Sequence, residues 1–133
     1  MRFVVDASVA VEYLLRTSLG RRAAEMLDGS ALFAPELLDA EVLAVLRRLV
    51  LSRRLIAARA AEALEDLIAW DVTRLSHREL VARAWVHRHN VSAYDALYVS
   101  AAEARDAVVL TADGPLARAP GLPVVVQTLR GAP

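Results

Sequence analysis

The chain is predicted to be an α/β domain built on a parallel sheet covered by helices on both faces. Two observations carry the prediction. Strand-like and helical segments alternate along the chain, and the strands are short continuous apolar runs rather than alternating apolar–polar ones. With 133 residues the chain has one-domain size. No repeat, linker or low-complexity tract interrupts residues 1–133.

The elements follow in order. "RFVVDAS" reads as a first strand ending at Asp6, with Ser8 as N-cap of a helix running to about Arg16. A second helix spans Ser18 to Leu27 and stops near "DGS". "ALFA" is a short strand, and Pro35 is placed in the first turn of a long helix. A further helix covers Ala57 to Ala69, and "DVTRL" is the next strand. "SHRE" has the capping-box pattern, with Ser76 and Glu79, and opens a helix ending near Asn90. "SAYD" repeats the pattern and opens a helix to Arg105. "AVVLT" and "PVVV" are the last strands, separated by the turn-rich "ADGPLARAPGL".

Composition removes several function classes. The hydrophobic share is 56%, much of it alanine, which signals helix more than membrane. No apolar run approaches the ~18 residues of a spanning helix. The chain passes from Met1 and Arg2 into "FVVD" without a signal-peptide pattern, so a cytoplasmic setting is expected. Without cysteine there are no disulfides and no thiolate metal sites. All 16 basic residues are arginine, a bias best explained by a GC-rich genome, and the net charge of zero gives no footprint for general nucleic-acid binding. The 5 glycines form no GxGxxG loop, which disfavours dinucleotide binding. The absence of lysine disfavours a phosphoacceptor receiver domain.

The acids are the informative residues. Ligands of an open parallel sheet bind at the carboxyl ends of its strands. Asp6 ends the first strand and Asp113 follows "VVLTA", so both are expected on that edge, although either could simply start the next turn. Glu41 lies in the series Leu37, Glu41, Val45, Leu49, which puts a carboxylate in the centre of an apolar helical stripe. A buried carboxylate needs a proton or a partner, and an arginine ion pair is the structural alternative. Asp39 falls on the outer face with Glu36 and reads as solvated. Asp95 has a structural explanation of its own, as first-turn partner of Ser92, but shares a face with Tyr98, Val99 and Ala102. Four carboxylates on one crevice repel one another unless a cation sits among them. With oxygen ligands only, Mg²⁺ or Mn²⁺ is the expected ion.

In this order, "VVDASV", "PELLDAEVLAVLRR", "SAYDALYVSAA" and "VVLTAD" resemble the PIN domain, and most closely the VapC-type toxins of bacterial toxin–antitoxin pairs. The resemblance spans Phe3 to Leu116. It implies a three-layer α/β/α sandwich with a short, mainly parallel sheet, and a metal-dependent endoribonuclease that hydrolyses RNA phosphodiesters with metal-activated water. Asp6, Glu41, Asp95 and Asp113 match the family's acidic metal-binding quartet, with Asp6 and Asp95 on the principal ion. Glu41 would help hold it or orient the water, and Asp113 would support a second ion. Ser8 and Thr111 match hydroxyl residues that orient carboxylate or water. Asn90 stands where many relatives have glycine, a position for which Asn's tolerance of left-handed backbone is expected to suffice. The implied partners are RNA, a VapB-type antitoxin and a second copy, in a homodimer and a heterotetramer or larger with antitoxin. A catalytically weak PIN-like binding module is the alternative, and a DNA nuclease with the same metal site stays open.

Other features have blander expectations. The spacing of His77, His87 and His89 does not suit zinc on a helix, and they read as surface or capping residues. Trp70, Trp85, Tyr94 and Tyr98 could stack on bases, with core packing the default. Arg47, Arg48, Arg53 and Arg54 read as solvated surface, with a phosphate track or a contact for an acidic partner as the functional alternative. Leu43 and Val50 add a second apolar face to the same helix, a candidate dimer or antitoxin surface.

Overall fold

The apolar run after Arg2 becomes the centre of the sheet. In a computed structural model, which describes residues 1–112 and 114–130, β1 (Arg2–Val5) pairs in parallel with β2 (Ala31–Pro35) on one side and β4 (Val108–Thr111) on the other. β3 (Thr73–Leu75) and β5 (Val126–Thr128) form the edges, giving the order β3-β2-β1-β4-β5 with every pairing parallel. Among the described residues seven helices connect them: α1 (Ala7–Leu15), α2 (Ser18–Leu27), α3 (Leu37–Leu51), α4 (Ala57–Ala69), α5 (His77–Val86), α6 (Ala93–Arg105) and the short α7 (Gly114–Ala117).

The three layers follow from the two-residue period of a strand. Phe3 and Val5 face a core shared with α1 to α4, through Val9, Leu14, Leu38, Leu46 and Leu67. Val4 faces the opposite core, against Leu80, Tyr98 and Val99 of α5 and α6. A central strand buried on both faces has no use for polar residues, which is why its sequence is continuous hydrocarbon.

Local chemistry sets most boundaries. The side chains of Thr17, Ser76 and Ser92 cap α2, α5 and α6 by accepting from the backbone N–H of Gly20, Arg78 and Asp95. For "SHRE" only half of the box forms, because Glu79 pairs with Arg105 at 3.1 Å. The α1–α2 hairpin is tight at Gly20, where a Cβ would lie 1.9 Å from the Glu12 carbonyl oxygen. An α2 with any larger residue at this third position could not pack this close.

Several expectations are corrected. Ser8 is not a cap: Asp6 holds the N-cap position with extended backbone (φ −73°, ψ 153°), and its carbonyl accepts from Val9 and Ala10 at 3.0 Å. Pro35 does not open α3 but closes β2, where a missing N–H is tolerated, and α3 is capped by the His77 ring, whose Nε2 accepts from the Leu37 N–H at 2.9 Å. The last strand begins at Val126, past the segment "PVV". Asn90 does not have positive φ; among the described non-glycine residues Arg16, Arg53 and Asp106 do.

Candidate metal centre

A helix that follows a parallel strand starts at that strand's carboxyl end, and a helix that precedes one starts there too. β1, β4, α3 and α6 therefore deliver Asp6, Thr111, Glu41 and Asp95 to one edge of the sheet, each from the end or first turns of its element. Asp113, expected at this edge from the sequence, lies outside the described residues.

Asp6 is held most firmly. Its N–H donates to the Leu110 carbonyl at 3.1 Å, which locks it to β4. Its Oδ2 accepts from the Thr111 hydroxyl at 2.7 Å and the Ser8 hydroxyl at 3.0 Å. Ser8 Oγ in turn accepts from the Ala112 N–H at 2.9 Å, so both hydroxyls are fixed by the β1–β4 junction. Burial pushes the Asp6 carboxyl above its usual range, the two hydroxyls oppose that, and the charge on Asp95 adds to it.

Glu41 stands in the second turn of α3. The expectation that it centres the buried stripe is corrected: Leu38, Val42 and Leu46 form that stripe, and Glu41 flanks it, half-buried. Nor does it pair with an arginine among the described ion pairs. Its Oε1 accepts from the Tyr98 hydroxyl at 2.7 Å. Burial raises its carboxyl above the usual range, Tyr98 lowers it, and the charges of Asp6 and Asp95 raise it further. Asp95, half-buried in the first turn of α6, is thus felt by both other acids. The Asp95 charge makes the ionisation of Asp6 and Glu41 costlier, and the Asp6 charge that of Glu41. Among the described residues no group of three acids or imidazoles is gathered closely enough to hold an ion as it stands.

Tyr98 is the residue the sequence did not single out for the site. It was expected in the core, and it is there at 1% exposure, but its hydroxyl serves Glu41. The one available signal was a phenol on the apolar face one turn after Asp95: a buried hydroxyl needs a partner.

The remaining candidates fall elsewhere. Arg47, Arg48, Arg53 and Arg54 are exposed, Leu43 is 54% exposed and Val50 half-buried. Arg47, Arg48 and Val50 lie toward the far end of α3, at 1.5 Å per residue roughly 9–14 Å along its axis from Glu41, while Arg53 and Arg54 follow the helix end and Leu43 is two residues from Glu41. Asp39 is not simply solvated: it accepts from Arg74 Nη2 at 2.9 Å. His87 is not a surface residue either, being 5% exposed with Nε2 2.6 Å from Glu103 Oε1. Trp85 and Tyr94 depart from core packing, at 68% and 63% exposed, while Trp70 stacks on Tyr13 at 4.3 Å. A cavity of about 610 Å³ beside that stack, between α1, α2 and α4, contains none of the site acids. No helix among the described residues is long and apolar enough to cross a membrane.

Known proteins resemble the chain along its length. The family model described as PIN domain matches residues 3–122. Ribonuclease VapC1 of Mycobacterium tuberculosis is 42% identical over 129 residues, 96% of this chain and 97% of that protein. Ribonuclease VapC3 of the same organism is 44% identical over 117 residues, 87% of this chain and 85% of the relative. In structure, VapBC2 of Rickettsia felis, crystallised with a DNA fragment from its promoter, superposes with a TM-score of 0.65 at 12% identity, covering 96% of this chain and 98% of that one. PAE2754 of Pyrobaculum aerophilum gives 0.67 at 23% identity, covering 97% and 84%. At these identities the structural likeness bears on the fold alone.

Proposed function

This chain belongs to the PIN domain family, and from that membership we propose that it is a divalent-metal-dependent endoribonuclease, the toxin of a toxin–antitoxin pair. The observation that carries the reading is electrostatic. Asp6, Glu41 and Asp95 are half-buried at the carboxyl edge of the sheet, the Asp95 charge raises the proton affinity of Asp6 and Glu41, and these two are oriented by the hydroxyls of Thr111, Ser8 and Tyr98. Carboxylates gathered at one edge suit a hard divalent cation, Mg²⁺ or Mn²⁺, because every donor is oxygen.

Asp6 and Asp95 would hold the principal ion, Glu41 would complete its shell or orient the attacking water, and Asp113 would support a second ion. A bound ion there supplies an activated water and charge stabilisation at phosphorus. The chain's own part is orientation: Thr111 and Ser8 keep the Asp6 carboxylate aimed from the β1–β4 junction, at little entropic cost during the reaction. Metal and phosphate binding together offset the missing basic footprint of a chain with zero net charge.

The curated relatives' names, ribonuclease and VapC, support RNA as substrate and, with the toxin–antitoxin resemblance, a VapB-type antitoxin as partner. The placement of Arg47, Arg48, Arg53 and Arg54 at and beyond the far end of α3 favours them, with the exposed Leu43 and with Val50, as a surface for antitoxin or a second copy over a phosphate track. A cytoplasmic site of action fits both partners.

The test is RNA cleavage by the purified protein, offered transfer, ribosomal and messenger RNA. Cutting in Mg²⁺ or Mn²⁺ that EDTA abolishes and fresh metal restores is the expected result. Cutting that survives EDTA would refute the metal reading, and no cutting of any RNA would leave a PIN-like binding module.

A further inference from the structure

We propose that Tyr98 is a positioning residue for the carboxylate cluster, its buried hydroxyl holding the Glu41 side chain in place to share a cation with Asp6 and Asp95. This rests on the metal reading above and adds to it a residue with no ligand role of its own.

The geometry is specific. Tyr98, on the face of α6 that packs in the core, stands three residues after Asp95 on the same helix, so the two move together. The phenol crosses to α3, 57 positions away in sequence, and donates to Glu41 Oε1 at 2.7 Å. One side chain of α6 thereby fixes the flexible acid of α3 relative to the acid of α6. Tyr98 also packs in the core that holds Val4 of β1, two residues before Asp6.

The choice of residue has a physical logic. Phenylalanine would fill the same space without a buried hydroxyl to satisfy. Arginine would hold Glu41 more strongly but would cancel its charge and compete with a cation. A phenol orients the carboxylate and leaves its charge in place. The phenol hydroxyl is a neutral donor, so it orients without adding charge. Ser8 and Thr111 treat Asp6 in the same way, with neutral hydroxyls.

The experiment is a double-mutant cycle read by Mn²⁺ calorimetry on wild type, Tyr98→Phe, Glu41→Gln and the double variant, with thermal melting in EDTA alongside. Tyr98→Phe is expected to fold and to bind Mn²⁺ about tenfold more weakly, the usual loss when a ligand's supporting group is removed. In the Glu41→Gln background the same change is expected to cost nothing further. Wild-type affinity in Tyr98→Phe, or an equal loss in both backgrounds, overturns the proposal, the second because the effect would then run through packing. If Tyr98→Phe melts below the assay temperature, Glu41→Asp replaces it: the charge remains but is withdrawn from the hydroxyl. The same tenfold loss is expected there, and wild-type affinity overturns the proposal. A wild type that binds no Mn²⁺ sinks the metal reading together with this one, a result distinct from wild-type binding that Tyr98→Phe leaves untouched.

Discussion

Asp6→Asn is expected to lower metal-dependent RNA cleavage on the order of 10²–10³-fold while raising the stability of the metal-free protein. The activity loss corresponds to about 3–4 kcal/mol of transition-state stabilisation, the scale of a lost metal ligand. The gain in stability comes from the same carboxylate. Asp6 and Glu41 hold their protons more tightly in the folded chain than at their ordinary values of 3.8 and 4.5, chiefly because burial disfavours the charge. An acid whose folded pKa is raised contributes its stability fully below its ordinary pKa and loses it as pH rises through the folded one. Metal-free protein is therefore destabilised at this site as pH climbs from these values toward neutrality. Asn removes the charge at Asp6 but keeps an acceptor for Thr111 and Ser8. We expect a gain of about 0.5–2 kcal/mol at pH 7, in line with the usual trade of stability for function at strained sites, and a smaller gain at pH 4. Melting curves of wild type and Asp6→Asn in EDTA at the two pH values check the sign. An Asp6→Asn protein that is less stable at pH 7 would mean that the aspartate is there for the fold.

The largest stability effect outside the apolar core is expected at Arg74, which no reading of the sequence marked. Its guanidinium donates to the carbonyls of Leu67, Trp70 and Val72 at 2.8–3.0 Å, and forks onto Asp39. The first two of those carbonyls belong to the end of α4, where a helix leaves acceptors without partners. One side chain thus ties the end of α4 and the start of β3 to α3, the helix that carries Glu41. Arg74→Met keeps much of the packing and removes every donor. Net losses near 1 kcal/mol per bond, reduced by water reaching a partly exposed site, give about 2–4 kcal/mol, or a fall in Tm of roughly 10 °C. Arg74→Lys is expected to recover only part of this, because an ammonium cannot reproduce the fork. Denaturant unfolding of the two variants decides it, and a loss under ~1 kcal/mol for Arg74→Met would show that water replaces these bonds freely.

What could be read from the sequence, and what could not, divides by range. The strands were legible because a doubly covered parallel sheet buries Phe3, Val4 and Val5 alike, which local composition records directly. The helix starts at Ser18, Ala57 and Ala93 were legible from caps and periodicity. Pro35 was misplaced because its missing N–H suits a helix start and a strand end equally well, and only the pairing with Leu75 distinguishes them. Glu41 was found as an acid among apolar residues, but its position on the flank of the stripe depends on how α3 rolls against the sheet. The partners of Tyr98, His87, His77 and Arg74 were invisible for a common reason. Each lies 16 to 57 positions away, or on a backbone group that any residue could offer.

The most direct measurement is a calorimetric titration of Mn²⁺ into wild type and Asp95→Asn at pH 7. A saturable binding event in wild type that is lost or greatly weakened in Asp95→Asn is the predicted result, since Asp95 raises the proton affinity of both Asp6 and Glu41 and should share their cation. Equal binding in the two proteins, with equal melting temperatures, would reduce Asp95 to the first-turn partner of Ser92 and contradict the site.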